Sequence, residues 1–206
     1  VAALVELSAS FARAFPSVDL RIDTQTMSDV SARVVGGTAT LGVVSPLGVR
    51  PELERRPLSK IRMIPVVSPT HPLAGRKGRL ETRELAGHVQ LVLAERQDAG
   101  VPDQAVISPR TWRITDLHTK RELILGGVGW GNLPVHLVRE DVARKRLVPI
   151  RPAAWRDDEH TLALSAIYRR DTTLGPAHRW MLEALGAACD RATGAERPAR
   201  TGRRRG

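Results

Sequence analysis

Cysteine occurs once in the 206 residues, at Cys189. No disulfide can form within the chain, and no cysteine-based zinc site can be assembled. That usage fits a reducing cytosol. Aromatic residues are scarce, with four Trp, two Phe and one Tyr making 3% of the chain. A single-strand nucleic-acid binder that stacks successive bases on rings needs more. No apolar run approaches the roughly 18–20 residues that span a bilayer, so no membrane contact is expected. The first residues open directly on an amphipathic pattern, without the basic stretch and apolar core of a secretory signal. What is present is an ordinary globular composition, 42% hydrophobic and 26% charged. It suffices for one domain or two small lobes with a real core. The formal charge is +10, and six of the arginines lie after Asp190. The remainder is basic without forming a stripe that would follow a nucleic-acid backbone.

Chemistry-bearing motifs are also few. The six histidines are His71, His88, His118, His136, His160 and His178. None pair at i,i+4 spacing and none sit in a Glu-containing zinc motif, so no metal and no other cofactor is expected. No Gly-x-Ser-x-Gly elbow offers a hydrolytic nucleophile. Cys189 reads as a small core or surface thiol. The run Gly126-Gly127-Val128-Gly129-Trp130-Gly131 invites a nucleotide-loop reading. From Gly127 the sixth position is Asn132, the run follows a helix instead of a strand, and no Lys-Ser/Thr succeeds it. A helix stop and a tight entry into the next strand account for it.

The periodicity predicts an α/β chain. Leu4, Leu7, Phe11 and Phe15 mark a helix over 1–15, ended by Pro16. Val18, Leu20 and Ile22 alternate with Asp19, Arg21 and Asp23 as in a strand. A helix capped by Ser28-Asp29 and stopped by Gly36-Gly37 follows, then a short buried strand over 40–44. Further strands are expected at 60–67 (interrupted by Pro65), 89–93, 112–114, 147–150 and 161–168. Helices are expected at 82–86 (capped by Thr82), 117–125 (capped by Asp116), 135–145 and 175–189. Strand, cap, helix, Gly-Gly and apolar strand occur at 18–44 and again at 112–134, which suggests two similar α/β lobes. Residues 190–206 hold no core-forming residues and read as a disordered basic tail ending in Arg203-Arg204-Arg205.

His71-Pro72-Leu73-Ala74 after the strand Met63 to Val67 resembles the effector-binding (substrate-binding) domain of LysR-type transcriptional regulators. Phe11 to Val18 resembles the family's entry to its second strand, and Glu84-Leu85 with His88 to Val92 its lobe-two opening. Gly126 to Pro134 is the most specific match, close to the family's Gly-rich turn ending in Pro. Leu147 to Ile150 and Tyr168-Arg169-Arg170 also fit, so the resemblance covers residues 1–186. It departs at the start, inside the family's first helix, and at Thr40, where the family usually has Asp. The strand that opens the family's lobe one, with its ligand-contacting turn, is missing from the chain, as are the winged helix-turn-helix and its linker.

The resemblance implies two Rossmann-like lobes of the type 2 periplasmic-binding-protein fold, joined by crossover strands. Lobe one would comprise 1–68 and 166–189, and lobe two 69–165. A small organic acid would bind between them, and no reaction would be catalysed. The residues implied as ligand contacts are Thr26, Met27, Ser28, Ser45, Thr70, Thr115, Asp116, Leu117 and Trp130. Hydroxyls and backbone N–H groups would hold a carboxylate, and Met27 and Trp130 would pack its apolar body. Ser28 and Asp116 are equally adequate as helix caps, and Trp130 as a filler of lobe two. Asp116 argues against a dianion beside it unless a cation intervenes. DNA would be reached only through the missing N-terminal domain. The chain would pair as a homodimer, and the parent protein as a homotetramer, through spare apolar surface on the helices at 1–15 (Val1, Leu4, Val5, Leu7, Phe11) and 117–125 (Leu117, Leu123, Ile124, Leu125). A solute-binding receptor and an enzyme on the same bilobal fold are the alternatives.

Overall fold

The computed structural model describes residues 2–45, 50–94, 105–155 and 160–194. The elements are α1 (Ala2–Ala14), α2 (Met27–Val35), β1 (Gly42–Val44), β2 (Leu53–Val67), α3 (Thr82–Ala86), β3 (Gln90–Leu93) and β4 (Thr111–Ile114), followed by α4 (Leu117–Leu125), β5 (Gly131–Pro134), α5 (Val135–Ala143), β6 (Val148–Pro149), β7 (His160–Arg169) and α6 (Pro176–Gly194). They fall into two compact units. One holds Val1–Gln25, Val30–Lys60 and the chain from Ala163 onward, the other Thr26–Asp29 and Ile61–Leu162. The long strands β2 and β7 each pass from one unit to the other.

In the first unit, β1 lies antiparallel to β7, with Gly42 opposite Ile167 and Val44 opposite Ser165. Leu58, Ala166 and Leu182 form a core that Leu41, Leu185 and Cys189 cover. Cys189 is thus a packing thiol, half-buried and reduced. α1 docks on α6 through Phe11, Phe15 and Trp180, whose ring centroids are 5.2–5.8 Å apart. α6 continues to Gly194, where a solvated tail was expected from residue 190. Residues 195–206, with Arg203-Arg204-Arg205, lie outside the described residues.

The strand expected at 18–22 does not form. Val18 closes a turn, its N–H donating to Phe15 O at 3.1 Å, no described strand pairs with the segment, and Val18, Leu20 and Ile22 are 45%, 40% and 50% exposed. Alternation sets which way side chains point, and a ladder needs a second backbone. Leu20 and Ile22 instead line a cavity of about 520 Å³ with Leu4, Leu41 and Val43.

In the second unit, β3 and β4 pair in parallel from Gln90 opposite Thr111 to Leu93 opposite Ile114. β5 lies antiparallel to β2, with Met63 opposite Pro134 and Val66 opposite Gly131. The backbone of Trp130 joins the two ladders, donating to Val89 O (3.0 Å) and accepting from Leu91 N (2.8 Å). Neighbouring residues of β2 then feed opposite cores, as the pleat requires. Val66 packs with Leu91, Ile124, Leu133, Val138 and Leu147. Val67 packs with Leu73, Leu80, Leu85, Trp130 and Ile150.

Proline does not interrupt β2, which runs unbroken through Pro57 and Pro65. Pro65 lacks a donor, but its carbonyl accepts from Ile150 N at 3.0 Å. The cap of α3 is Glu81, not Thr82, and its N–H donates to Glu84 Oε2 at 2.9 Å.

The Gly-rich run has a steric cause. Gly127 sits at φ +78°, ending α4 in the left-handed region. A Cβ on Gly129 would collide with Val89 O, and one on Gly131 would lie 2.7 Å from Leu91 O. These glycines let β5 approach β3, so the run is a packing device and not a phosphate cradle. α4 is further tied to α5 by Asp141, which is fully buried. Its Oδ2 accepts from Arg121 Nε at 2.7 Å and its Oδ1 from Arg121 Nη2 at 2.8 Å, while Arg146 Nη2 pairs with the same carboxylate.

Candidate functional site

α4 organises most of the expected ligand residues, and it places them at different points. Thr115 and Asp116 are exposed immediately before its first turn. Asp116 is the N-cap, and its Oδ2 accepts from Thr119 N at 2.6 Å. Hydrogen bonds from the Thr119 side chain and backbone hold the Asp116 carboxyl below the usual carboxylate range. Its role as a cap is therefore occupied. Leu117, the first helical residue, is half-buried and leans on the core that contains Ile124.

Thr70 belongs to the opposite end of α4. Its hydroxyl is 2.9 Å from Ser68 Oγ, and a Cβ on Gly127 would lie 3.3 Å from it. A nine-residue helix rises about 13 Å, so Thr70 and Thr115 stand at opposite ends of α4. Trp130 is 0% exposed, and its ring lies 6.5 Å from that of Trp155 in the second core. It fills the unit instead of offering a face to a ligand, and its Nε1 has no hydrogen-bond partner.

Thr26, Met27 and Ser28 are half-buried at the start of α2 and group with the second unit. The helix begins at Met27, two residues before the start that a Ser28 cap implies. Thr26 Oγ1 accepts from Asp29 N at 3.4 Å and lies 3.3 Å from Ser28 Oγ. Thr26 thus takes the capping place expected of Ser28-Asp29. Ser45 belongs to the first unit, directly after β1, and is fully buried.

Two features were not singled out from the sequence. Lys120 is 4% exposed on α4, and burial pulls its pKa down to about 8. The signal was available, because Leu117, Lys120 and Ile124 share one helical stripe and a cation interrupts it. The other is a histidine pair, His71 and His88, with ring centroids 4.9 Å apart. His71 is 7% exposed, its Nδ1 accepts from Leu73 N at 3.2 Å, and burial lowers its pKa, with His88 contributing. No spacing rule brings 71 and 88 together. Among the described residues, no three His, Cys, Asp or Glu are grouped as a metal site requires, and no helix is long and apolar enough to cross a membrane.

Comparison with known proteins places this arrangement. The chain is 25% identical over 173 residues to the HTH-type transcriptional regulator AceR of Acinetobacter baumannii, covering 82% of this chain and 57% of that protein. It therefore spans little more than half the length of that relative. The regulatory domain of CcmR from Synechocystis PCC6803, solved in complex with 2-PG, superposes with a TM-score of 0.71 at 18% identity, covering 90% of each chain. The effector binding domain of QuiR, solved in complex with shikimate, superposes with a TM-score of 0.69 at 13% identity, covering 91% of this chain and 90% of that one. These likenesses show the α/β fold of LysR effector-binding domains. The model of the LysR substrate binding domain matches residues 2–190. The chain belongs to the LysR substrate binding domain family.

Proposed function

We propose that this chain is the effector-sensing part of a LysR-type transcriptional regulator, binding a small organic acid and acting on transcription through a DNA-binding domain outside this sequence. The observation that carries the reading is the family match over residues 2–190. The nature of the ligand is argued from chemistry. Thr115 stands exposed where α4 presents its free N–H groups, and such a terminus favours an anion. The Thr26–Ser28 hydroxyls stand at a second helix start in the same unit. Ligands of this kind support it by analogy, since related domains were solved with 2-PG and with shikimate. No nucleophile paired with a general base is found among the described candidate residues, so binding without turnover is the proposal. Cytoplasmic residence and homodimeric assembly belong to the same reading.

Calorimetry against a panel of carboxylates tests it. A binding acid is expected to survive incubation unchanged. Thr26→Val with Thr115→Val should weaken it by about 1–3 kcal/mol, the sum of two ordinary hydrogen bonds. Unchanged affinity in the double variant would place the ligand elsewhere.

A further inference from the structure

Lys120 is held at three disadvantages. Its side chain is 4% exposed, and burying an ammonium is unfavourable unless it is paired. No acceptor pairs with it among the described residues, and burial alone accounts for its lowered pKa of about 8. It also lies in the first turn of α4, donating its backbone N–H to Asp116 O at 3.0 Å, where the helix field disfavours a cation.

The packing elements do not relieve this. α4 rests on β3, β4 and β5 and is tied to α5, where the Asp141 carboxylate is taken by Arg121 and Arg146, and Glu140 by Arg144. β3 and β5 carry no charged residue, and β4 carries only Arg113, a second cation. On α4 itself, the Asp116 carboxylate is engaged with Thr119, and Arg121 is engaged with Asp141 and Glu122. The fold nevertheless accommodates the stem closely. A Cβ on Gly131 would lie 3.1 Å from Lys120 Cε, so the glycine leaves the groove in which the lysine lies. A leucine or methionine in that stripe would serve the core better.

We infer that Lys120 is the cationic anchor for an anionic ligand bound at the N-terminal end of α4, selecting acids over their neutral analogues. The inference rests on the reading of this end of α4 as part of the effector site. A ligand anion there supplies a counter-charge that no described residue provides, and the helix terminus and the ammonium then act on it together. It also answers the objection raised by Asp116, because a cation stands one turn away from that carboxylate. The lysine is a binding residue, and no bond is made or broken.

The test compares the wild-type chain with Lys120→Met, a substitution that keeps the stem and removes the charge. The probes are shikimate, benzoate and inorganic phosphate, with methyl shikimate and benzamide as neutral counterparts. At least one anionic probe is expected to bind the wild type, and Lys120→Met should weaken it roughly tenfold or more, the weight of one charge-assisted hydrogen bond. Wild-type affinity should fall as pH rises past about 8 and stay flat in the variant. Without ligand, Lys120→Met should melt at the same temperature as the wild type or higher. A lower melting temperature would mean that the ammonium is already paired inside the fold, and would overturn the inference. Equal binding of an acid by both proteins, or equal binding of acid and neutral counterpart, would overturn it while leaving the effector reading intact. If no probe binds the wild type, the organic-acid reading and the inference fall together.

Discussion

At the scale of single residues, burial decides the chemistry of the two unusual bases. His71 is folded in its neutral form, because its pKa lies below the ordinary 6.5 through burial and the nearby His88. Below pH 6.5 the unfolded chain therefore binds more protons at this site than the folded one. Its contribution to stability is full above pH 6.5 and declines as pH falls from there. Urea unfolding at about pH 7.5 and about pH 5 should show a drop that His71→Asn reduces. A variant with the wild-type slope would remove His71 from the account. Asp141 shows the opposite case, a buried group fully matched by Arg121 and Arg146, and so a structural pin between α4 and α5.

At the scale of elements, the Gly-rich run and the 18–25 segment make contrasting claims. Gly129→Ala drives a methyl into the Val89 carbonyl, which is backbone and cannot turn aside. The expected loss is about 2–3 kcal/mol in chemical denaturation, typical of overpacking. Gly75→Ala, where a Cβ meets nothing within 4 Å, should change stability by under about 0.5 kcal/mol. Residues 19–25 carry part of an alternating sequence pattern, and no described strand pairs with them. Their amides are expected to exchange with opening free energies near zero, far faster than those of β3. Protection equal to that of β3 would show that another strand covers them.

At the scale of the whole molecule, the dimer proposal keeps one of its two supports. On α4, Ile124 is fully buried and Leu117, Leu123 and Leu125 are partly buried against the core of their own unit, so that helix turns most of its apolar face inward. On α1, Leu7 and Phe11 are buried, whereas Leu4 is 44% and Val5 62% exposed. α1 is therefore the surface on which a partner subunit is expected. Sedimentation at micromolar concentration should report a dimer, and Leu4→Glu should shift it toward monomer. A monomeric wild type that Leu4→Glu leaves unchanged would sink the proposal.

The sequence by itself determined the order and kind of most elements. Helical stripes such as Leu4, Leu7 and Phe11, the Asp116 cap and the Gly126-Gly127 stop are local features, and local geometry reproduces them. Family membership was legible in the motifs from His71 to Pro134 for the same reason. Tertiary structure decided what depends on a distant partner. It denied residues 18–22 a ladder, carried β2 through two prolines, and put Trp130 wholly inside a core. It also separated Thr70 from Thr115 by the length of α4, and buried Lys120 where three strands bring no counter-charge. A side chain's period is written in its own segment. Its exposure and its electrostatic partners are set by chain far away in sequence, and on those the site depends.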